Sequence, residues 1–178
     1  RDAACAALGL DASQRYALFF GLIRDYKGLD TLLAAWAKFR RQGHKLLVAG
    51  EFYASRDRYI SLIEELGLRD DVILHDFFIP DADVRNYFSA ADCVVLPYKT
   101  ATQSGVTQVA FHFEKPCLVT NVGGLGEIIH DGKMGYACEP KVEAIAESFR
   151  DFYKNNRQEA FTEYLREEKK KYEWEKMS

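Results

Sequence analysis

Short runs of β-branched, aliphatic and aromatic residues alternate along this chain with segments whose apolar residues recur at helical spacing. No other feature restricts the fold so far: strands joined by helix-length crossovers pair in parallel, and parallel sheets need helices on both faces. Strands are expected at residues 16–20 (YALFF), 45–50 (KLLVAG), 72–77 (VILHDF), 92–97 (DCVVLP), 116–120 (PCLVT) and 135–138 (GYAC). Several are apolar at successive positions, as strands covered on both sides must be. Between them, Leu29, Leu32, Leu33 and Trp36 fall at i, i+3, i+4, i+7, as do Tyr59, Leu62, Ile63 and Leu66, and Val106, Val109, Ala110 and Phe113. Val84, Tyr87 and Phe88 mark a shorter helix, and residues 142–164 one or two closing ones. The pattern predicts an α/β, Rossmann-like, doubly wound parallel sheet of about six strands with helices on both faces. There is no Pro/Gly/Ser-rich linker and no internal repeat. Residues 1–178 therefore read as a single domain, with 1–14 as an entering helix or linker and 141–178 as closing helices.

Composition excludes several functions. The formal charge is −3, and the Lys169–Lys171 triplet sits among Glu167, Glu168, Glu173 and Glu175, a mixed-sign helix face and no nucleic-acid patch. No apolar run approaches the roughly 20 residues needed to cross a bilayer. Cys5, Cys93, Cys117 and Cys138 have no CxxC spacing, and two of them lie inside strand-like runs, so free thiols in a reducing compartment, the cytoplasm, are expected. His44, His75, His112 and His130 lack metal-ligand spacing, and neither a Walker loop nor a G-x-S-x-G elbow is present.

In an open parallel sheet the ligand crevice lies beyond the carboxyl ends of the strands. The loop after the first strand, GLIRDYKGLD, has Gly21 for close backbone approach and then Arg24 and Lys27 near a helix start, a suitable arrangement for a phosphate or diphosphate. The same cations are also expected if they merely pair with Asp25 or Asp30. In TATQSGV, Thr102, Gln103 and Ser104 can cap a helix or bond a ligand, and Gly105 lets an amide approach closely. Capping and anion binding use the same groups, so this loop by itself fits both. NVGGLGE is G-G-x-G and lacks the dinucleotide fingerprint. Asp81 and Asp83 form a D-x-D, but they follow Pro80 and open a helix, where aspartates are expected to cap the helix and fill its first turn.

In order and spacing, FFGLIRDYKGLDTLLAAW, LLVAG, FFIPDADVRNYFSAADCVVLPY, TQSGV and KPCLVTNVGGLGEIIHDGKMGY resemble the carboxy-terminal, donor-binding lobe of the retaining GT-B glycosyltransferases of family 4 (group 1). The resemblance spans roughly residues 16–138 and implies a single donor-binding domain, one half of a GT-B fold. It implies a nucleotide-diphosphate sugar as substrate, no metal and no other cofactor. Gly21 would approach the phosphates, and Lys27 would stabilise the leaving diphosphate. Arg24 would stand in for the arginine that many members carry after the glycine, where this chain has Leu22. The backbone at Phe78 and Ile79 would meet the base, and Ser104, Gly105 and Val106 would present amides to phosphate or sugar. Two glutamates common in the family, eight positions apart, fall at Ala101 and Val109, so Gln103 and Gln108 become the candidates for holding hydroxyls.

The expected activity is sugar transfer, with retention, to a glycan or lipid-linked acceptor in polysaccharide biosynthesis. The other readings are a non-catalytic nucleotide-sugar binding domain and a GT-B-type sugar-nucleotide epimerase. The chain is expected to be a fragment that is inactive alone and is completed by an amino-terminal acceptor-binding lobe. That lobe would give peripheral association with the inner face of a membrane.

Overall fold

The computed structural model describes residues 1–177 apart from Ala54, Thr102 and Gln103. In chain order the elements are α1 (Asp2–Leu8), β1 (Arg15–Phe20), a 3-10 turn (Asp25–Lys27), α2 (Leu29–Phe39), β2 (His44–Ala49), α3 (Arg56–Glu65) and β3 (Val72–His75). They continue with α4 (Asp81–Ala90), β4 (Cys93–Leu96), α5 (Gly105–His112), β5 (Cys117–Thr120), β6 (Gly135–Cys138), α6 (Val142–Lys154) and α7 (Gln158–Met177). The six strands form one parallel sheet in the order β3-β2-β1-β4-β5-β6. This is a Rossmann-like order, and its direction reverses between β1 and β4.

Successive strand residues point to opposite faces, so each strand feeds two cores. Ala17, Phe19, Leu46, Val48, Val95 and Leu118 meet α2, α3 and α6 on one side. Tyr16, Leu18, Leu47, Val94, Leu96 and Val119 meet α1, α4 and α5 on the other. Helix α7 crosses the edge between them, placing Phe161 in the first core and Leu165 in the second. Trp36 is fully buried, with its ring 5.1 Å from Phe39 and 4.9 Å from Phe149, and it ties α2 to α6.

Boundaries differ from the sequence reading by one or two residues for stated reasons. Proline cannot donate to the ladder, so β4 stops before Pro97 and β5 starts after Pro116. The third strand ends at His75, because Asp76 turns away to pair with Arg56 and Phe77 folds back over the His75 ring at 5.5 Å. On α5 the most buried residues are Thr107 and Ala110, while Val106 and Val109 are only half-buried. The expected stripe does face the second core, Ala110 fully and Val106, Val109 and Phe113 in part, and Thr107, beside the hollow shared with α7, is buried as well.

At the amino end of the sheet, buried Asp92 accepts the Tyr16 N–H at 2.7 Å and pairs with Arg15 at 3.0 Å. This clamp fixes β4 against β1, and thereby the loops at the opposite end. The four cysteines are free thiols. Burial pushes Cys117 up to about 12 and Cys138 to about 11, so neither is a thiolate at neutral pH.

Candidate functional site: the crevice at the sheet reversal

At the carboxyl ends of the strands, three loops are sewn together by backbone bonds. Ile23 N–H donates to Glu51 O at 2.8 Å and Tyr53 N–H to Ile23 O at 3.0 Å, joining the loops after β1 and β2. Gly50, at φ 147, is packed so tightly that a Cβ would collide with the Gly21 carbonyl oxygen. Across the reversal, Lys99 N–H donates to Tyr26 O at 2.7 Å, and Gly28, at φ 74, leaves no room for a side chain against the Pro97 carbonyl. Glycine is required at Gly28 and Gly50 by both the left-handed backbone and the close approach.

The two cations read from the sequence meet here. Lys27 is half-buried, and its Nζ lies 6.0 Å from the Tyr98 ring centroid, where a Cβ on Gly21 would stand 3.4 Å from it. Arg24 lies with its guanidinium 4.2 Å over the Tyr53 ring. Neither is neutralised by the nearby carboxylates. Asp25 is taken by Arg58 at 3.1 Å and the Tyr59 hydroxyl at 3.0 Å, and Asp30 by Arg58 at 3.2 Å and Lys99 at 2.8 Å. Simple pairing of Lys27 to Asp25 or Asp30 is therefore not what the structure contains. Burial, and then the charge of Arg24, hold the Lys27 ammonium below the usual lysine range. An ammonium desolvated beside a second cation is a site for an anion.

On the other side of Tyr98, Ser104 caps α5: its Oγ accepts the Val106 N–H at 3.2 Å and lies 3.4 Å from the Tyr98 hydroxyl. The Val106 amide is thus engaged by the cap. Gly105 is exposed, with open space where a side chain would be. Replacing Ser104 by alanine is expected to cost about 1 kcal/mol of stability in urea unfolding, the ordinary value of a helix cap. An unchanged midpoint would remove the cap from the loop's role.

Phe78 and Ile79 join Phe20, Gly21, Leu22 and Glu51 around a hollow of about 270 Å³ above the ends of β1, β2 and β3. It is mainly apolar, and Phe78 is 68% exposed at its mouth. Gln108 is not brought to this crevice: it is exposed and lines a separate hollow of about 590 Å³ between α5 and α7, with Lys115, Ile129 and Leu165. The larger of the two hollows is therefore not the one at the carboxyl ends of β1, β2 and β3. Gln103, like Thr102, lies outside the described residues. Asp81 and Asp83 occupy the first turn of α4, where neither side chain caps the helix. No group of three or more His, Cys, Asp or Glu residues among the described residues is arranged for a metal ion. No helix among them is long and apolar enough to cross a membrane.

Tyr98 and Glu51 were not among the candidates read from the sequence. Tyr98 is buried, with its ring centroid 6.0 Å from Lys27 Nζ and 6.0 Å from the Tyr26 ring and its hydroxyl 3.4 Å from Ser104 Oγ, so it lies between the loop after β1 and the start of α5. Its only sequence signal is an aromatic residue immediately after the proline that ends a strand.

The model of the family Glycosyl transferases group 1 matches residues 1–171. A D-inositol 3-phosphate glycosyltransferase of Segniliparus rotundus is 35% identical over 140 residues, which are 76% of this chain and 31% of the relative. Sucrose-phosphate synthase of Thermosynechococcus elongatus superposes with a TM-score of 0.82 at 26% identity, over 94% of this chain and 43% of that one. HepE of Anabaena, crystallised with UDP, superposes with a TM-score of 0.79 over 92% of this chain and 45% of that one, and at 19% identity shows the fold alone. The chain spans under half the length of these relatives.

Proposed function

The chain belongs to the group 1 glycosyl transferases, and we propose that it is the carboxy-terminal, donor-binding lobe of a retaining GT-B enzyme of family 4. It binds a nucleotide-diphosphate sugar, and an amino-terminal lobe outside this chain supplies the acceptor site, on a glycan or a lipid-linked acceptor at a membrane surface. The observation that carries this reading is the pair of cations after β1, Lys27 and Arg24, that no described carboxylate neutralises, with Tyr98 set beside Lys27 and next to the Ser104 cap of α5. Relatives named as glycosyltransferases and the UDP held by HepE support it.

The chemistry follows from charge. The bond between the anomeric carbon and the β-phosphate oxygen breaks, and its electron pair leaves with the diphosphate. The acceptor hydroxyl attacks from the same face, and its proton passes to a departing phosphate oxygen, which gives retention without a protein base. Lys27 and Arg24 stabilise the charge that develops on the leaving group, as pre-oriented cations in a partly dry site do. Ser104 and Gly105 orient the start of α5 toward the same anion, where the helix dipole favours negative charge.

The test is thermal unfolding with UDP, GDP or ADP against the corresponding nucleosides. A ligand at a hundred times its Kd stabilises by about 2.7 kcal/mol, a shift of several degrees for a domain of this size. Diphosphates are expected to shift the melting temperature and nucleosides not. Equal, negligible shifts by both would end the donor-site reading.

A further inference from the structure

The family glutamate positions are held here by Ala101 and Val109, and Val109 is half-buried against the α4–α5 core, so α5 offers no carboxylate to a bound nucleotide. The sheet order supplies another. Along the carboxyl edge the loops follow the strands: Phe78 and Ile79 after β3, Glu51 after β2, Gly21 to Lys27 after β1, and Tyr98 and Ser104 after β4. With the base in the apolar hollow by Phe78 and the diphosphate at Lys27, the loop that carries Glu51 lies between theirs, and Glu51 lines the hollow. We propose that Glu51 holds the ribose hydroxyls of the nucleotide, an assignment that rests on the donor-site reading above.

Three observations support the residue. Glu51 is the sole ionisable side chain among the residues lining the 270 Å³ hollow. Its carboxylate has no hydrogen bond or ion pair with another described residue, so it is available to a ligand. Its backbone is held in place: its carbonyl accepts the Ile23 N–H at 2.8 Å, and the preceding Gly50 is locked against Gly21. The chemistry then chooses the ligand group. A carboxylate only accepts hydrogen bonds. Phosphate oxygens would repel it, uracil offers one N–H flanked by two carbonyl oxygens, and guanine, whose paired N–H donors could also meet a carboxylate, is separated from ribose by the GDP arm of the test. A ribose presents two adjacent hydroxyl donors, which two carboxylate oxygens can meet together. An acidic residue beyond the second strand serves the same purpose in dinucleotide-binding folds of this strand order.

The experiment titrates the 178-residue chain and its Glu51→Ala and Glu51→Gln variants with UDP, 2′-deoxy-UDP and GDP. Wild type is expected to prefer UDP over 2′-deoxy-UDP by about tenfold, the worth of one charge-assisted hydrogen bond. Glu51→Ala is expected to lose about tenfold for UDP and GDP alike and no longer to distinguish the deoxy form. Glu51→Gln, which keeps one acceptor, should fall between them. Glu51 is exposed, so the unliganded melting temperatures should agree among the three proteins. A deoxy penalty that persists in Glu51→Ala would overturn the assignment. A loss confined to GDP would overturn it too, by making Glu51 a reader of the base. Absence of any nucleotide binding by wild type would remove the donor site, and this assignment with it.

Discussion

Lys27→Ala is expected to abolish the stabilisation of this chain by nucleoside diphosphates, weakening their binding by about a hundredfold, or about 3 kcal/mol. The size follows from the environment. Lys27 is half-buried, lacks a carboxylate partner among the described residues and is crowded by Arg24, so a bound diphosphate would relieve both its desolvation and its repulsion. The unliganded protein should lose little, because no favourable ion pair is broken. The pH dependence has a defined sign. The Lys27 pKa is lowered on folding, so the unfolded chain binds more protons between the folded and ordinary lysine values. Unliganded stability therefore rises with pH through that alkaline window. Diphosphate affinity falls through the same window as the ammonium is lost, and this fall should be flat in Lys27→Ala and in the non-titrating Lys27→Arg. Calorimetric titration across the alkaline range measures both. A Lys27→Ala protein that binds UDP like wild type would remove the residue from the site.

Gly28→Ala is expected to be the most destabilising of the substitutions considered, at more than about 4 kcal/mol. Two costs combine. A left-handed backbone disfavours any Cβ by about 1–2 kcal/mol. Here the new atom would also strike the Pro97 carbonyl, with its carbon only 2.9 Å away, and backbone cannot swing aside as a side-chain tip can. The loops after β1 and β4 would part, separating Lys27 from Ser104. Gly43→Ala provides the control: its φ is 80, yet nothing lies within 4 Å of its Cβ position, so only the backbone strain, about 1–2 kcal/mol, should be lost. Comparable urea midpoints for the two variants would show that the Gly28–Pro97 approach carries no weight.

Much of this architecture is legible in the residues. Leu29, Leu32, Leu33 and Trp36 fall on one helical face and are all fully buried in α2. Runs apolar at successive positions, such as CVVL, became strands with every residue buried. Ser104 before Gly105 reads as a helix cap and is one. Elsewhere local pattern falls short. The α5 stripe of Val106, Val109, Ala110 and Phe113 does pack on the core, but its spacing gives no sign that Thr107 is buried too, beside the hollow shared with α7. The Asp30 carboxylate, next to Lys27 in sequence, is instead claimed by Lys99 from 69 residues away. Nothing local to GLIRDYKGLD could reveal that, and it is what leaves Lys27 without a carboxylate partner among the described residues.

The sequence by itself determined the element types, the parallel class of the sheet and the loops in which polar and glycine residues collect, because periodicity, turn chemistry and capping act over a few residues. The tertiary structure alone decided the strand order, the reversal between β1 and β4, and which loops touch there. Those depend on pairings between distant segments and on which carboxylates reach which cations. The role proposed for Glu51 is of that second kind: one acidic residue after a glycine has no meaning until the sheet places it in the wall of an apolar hollow, on the loop next to the one that carries two cations.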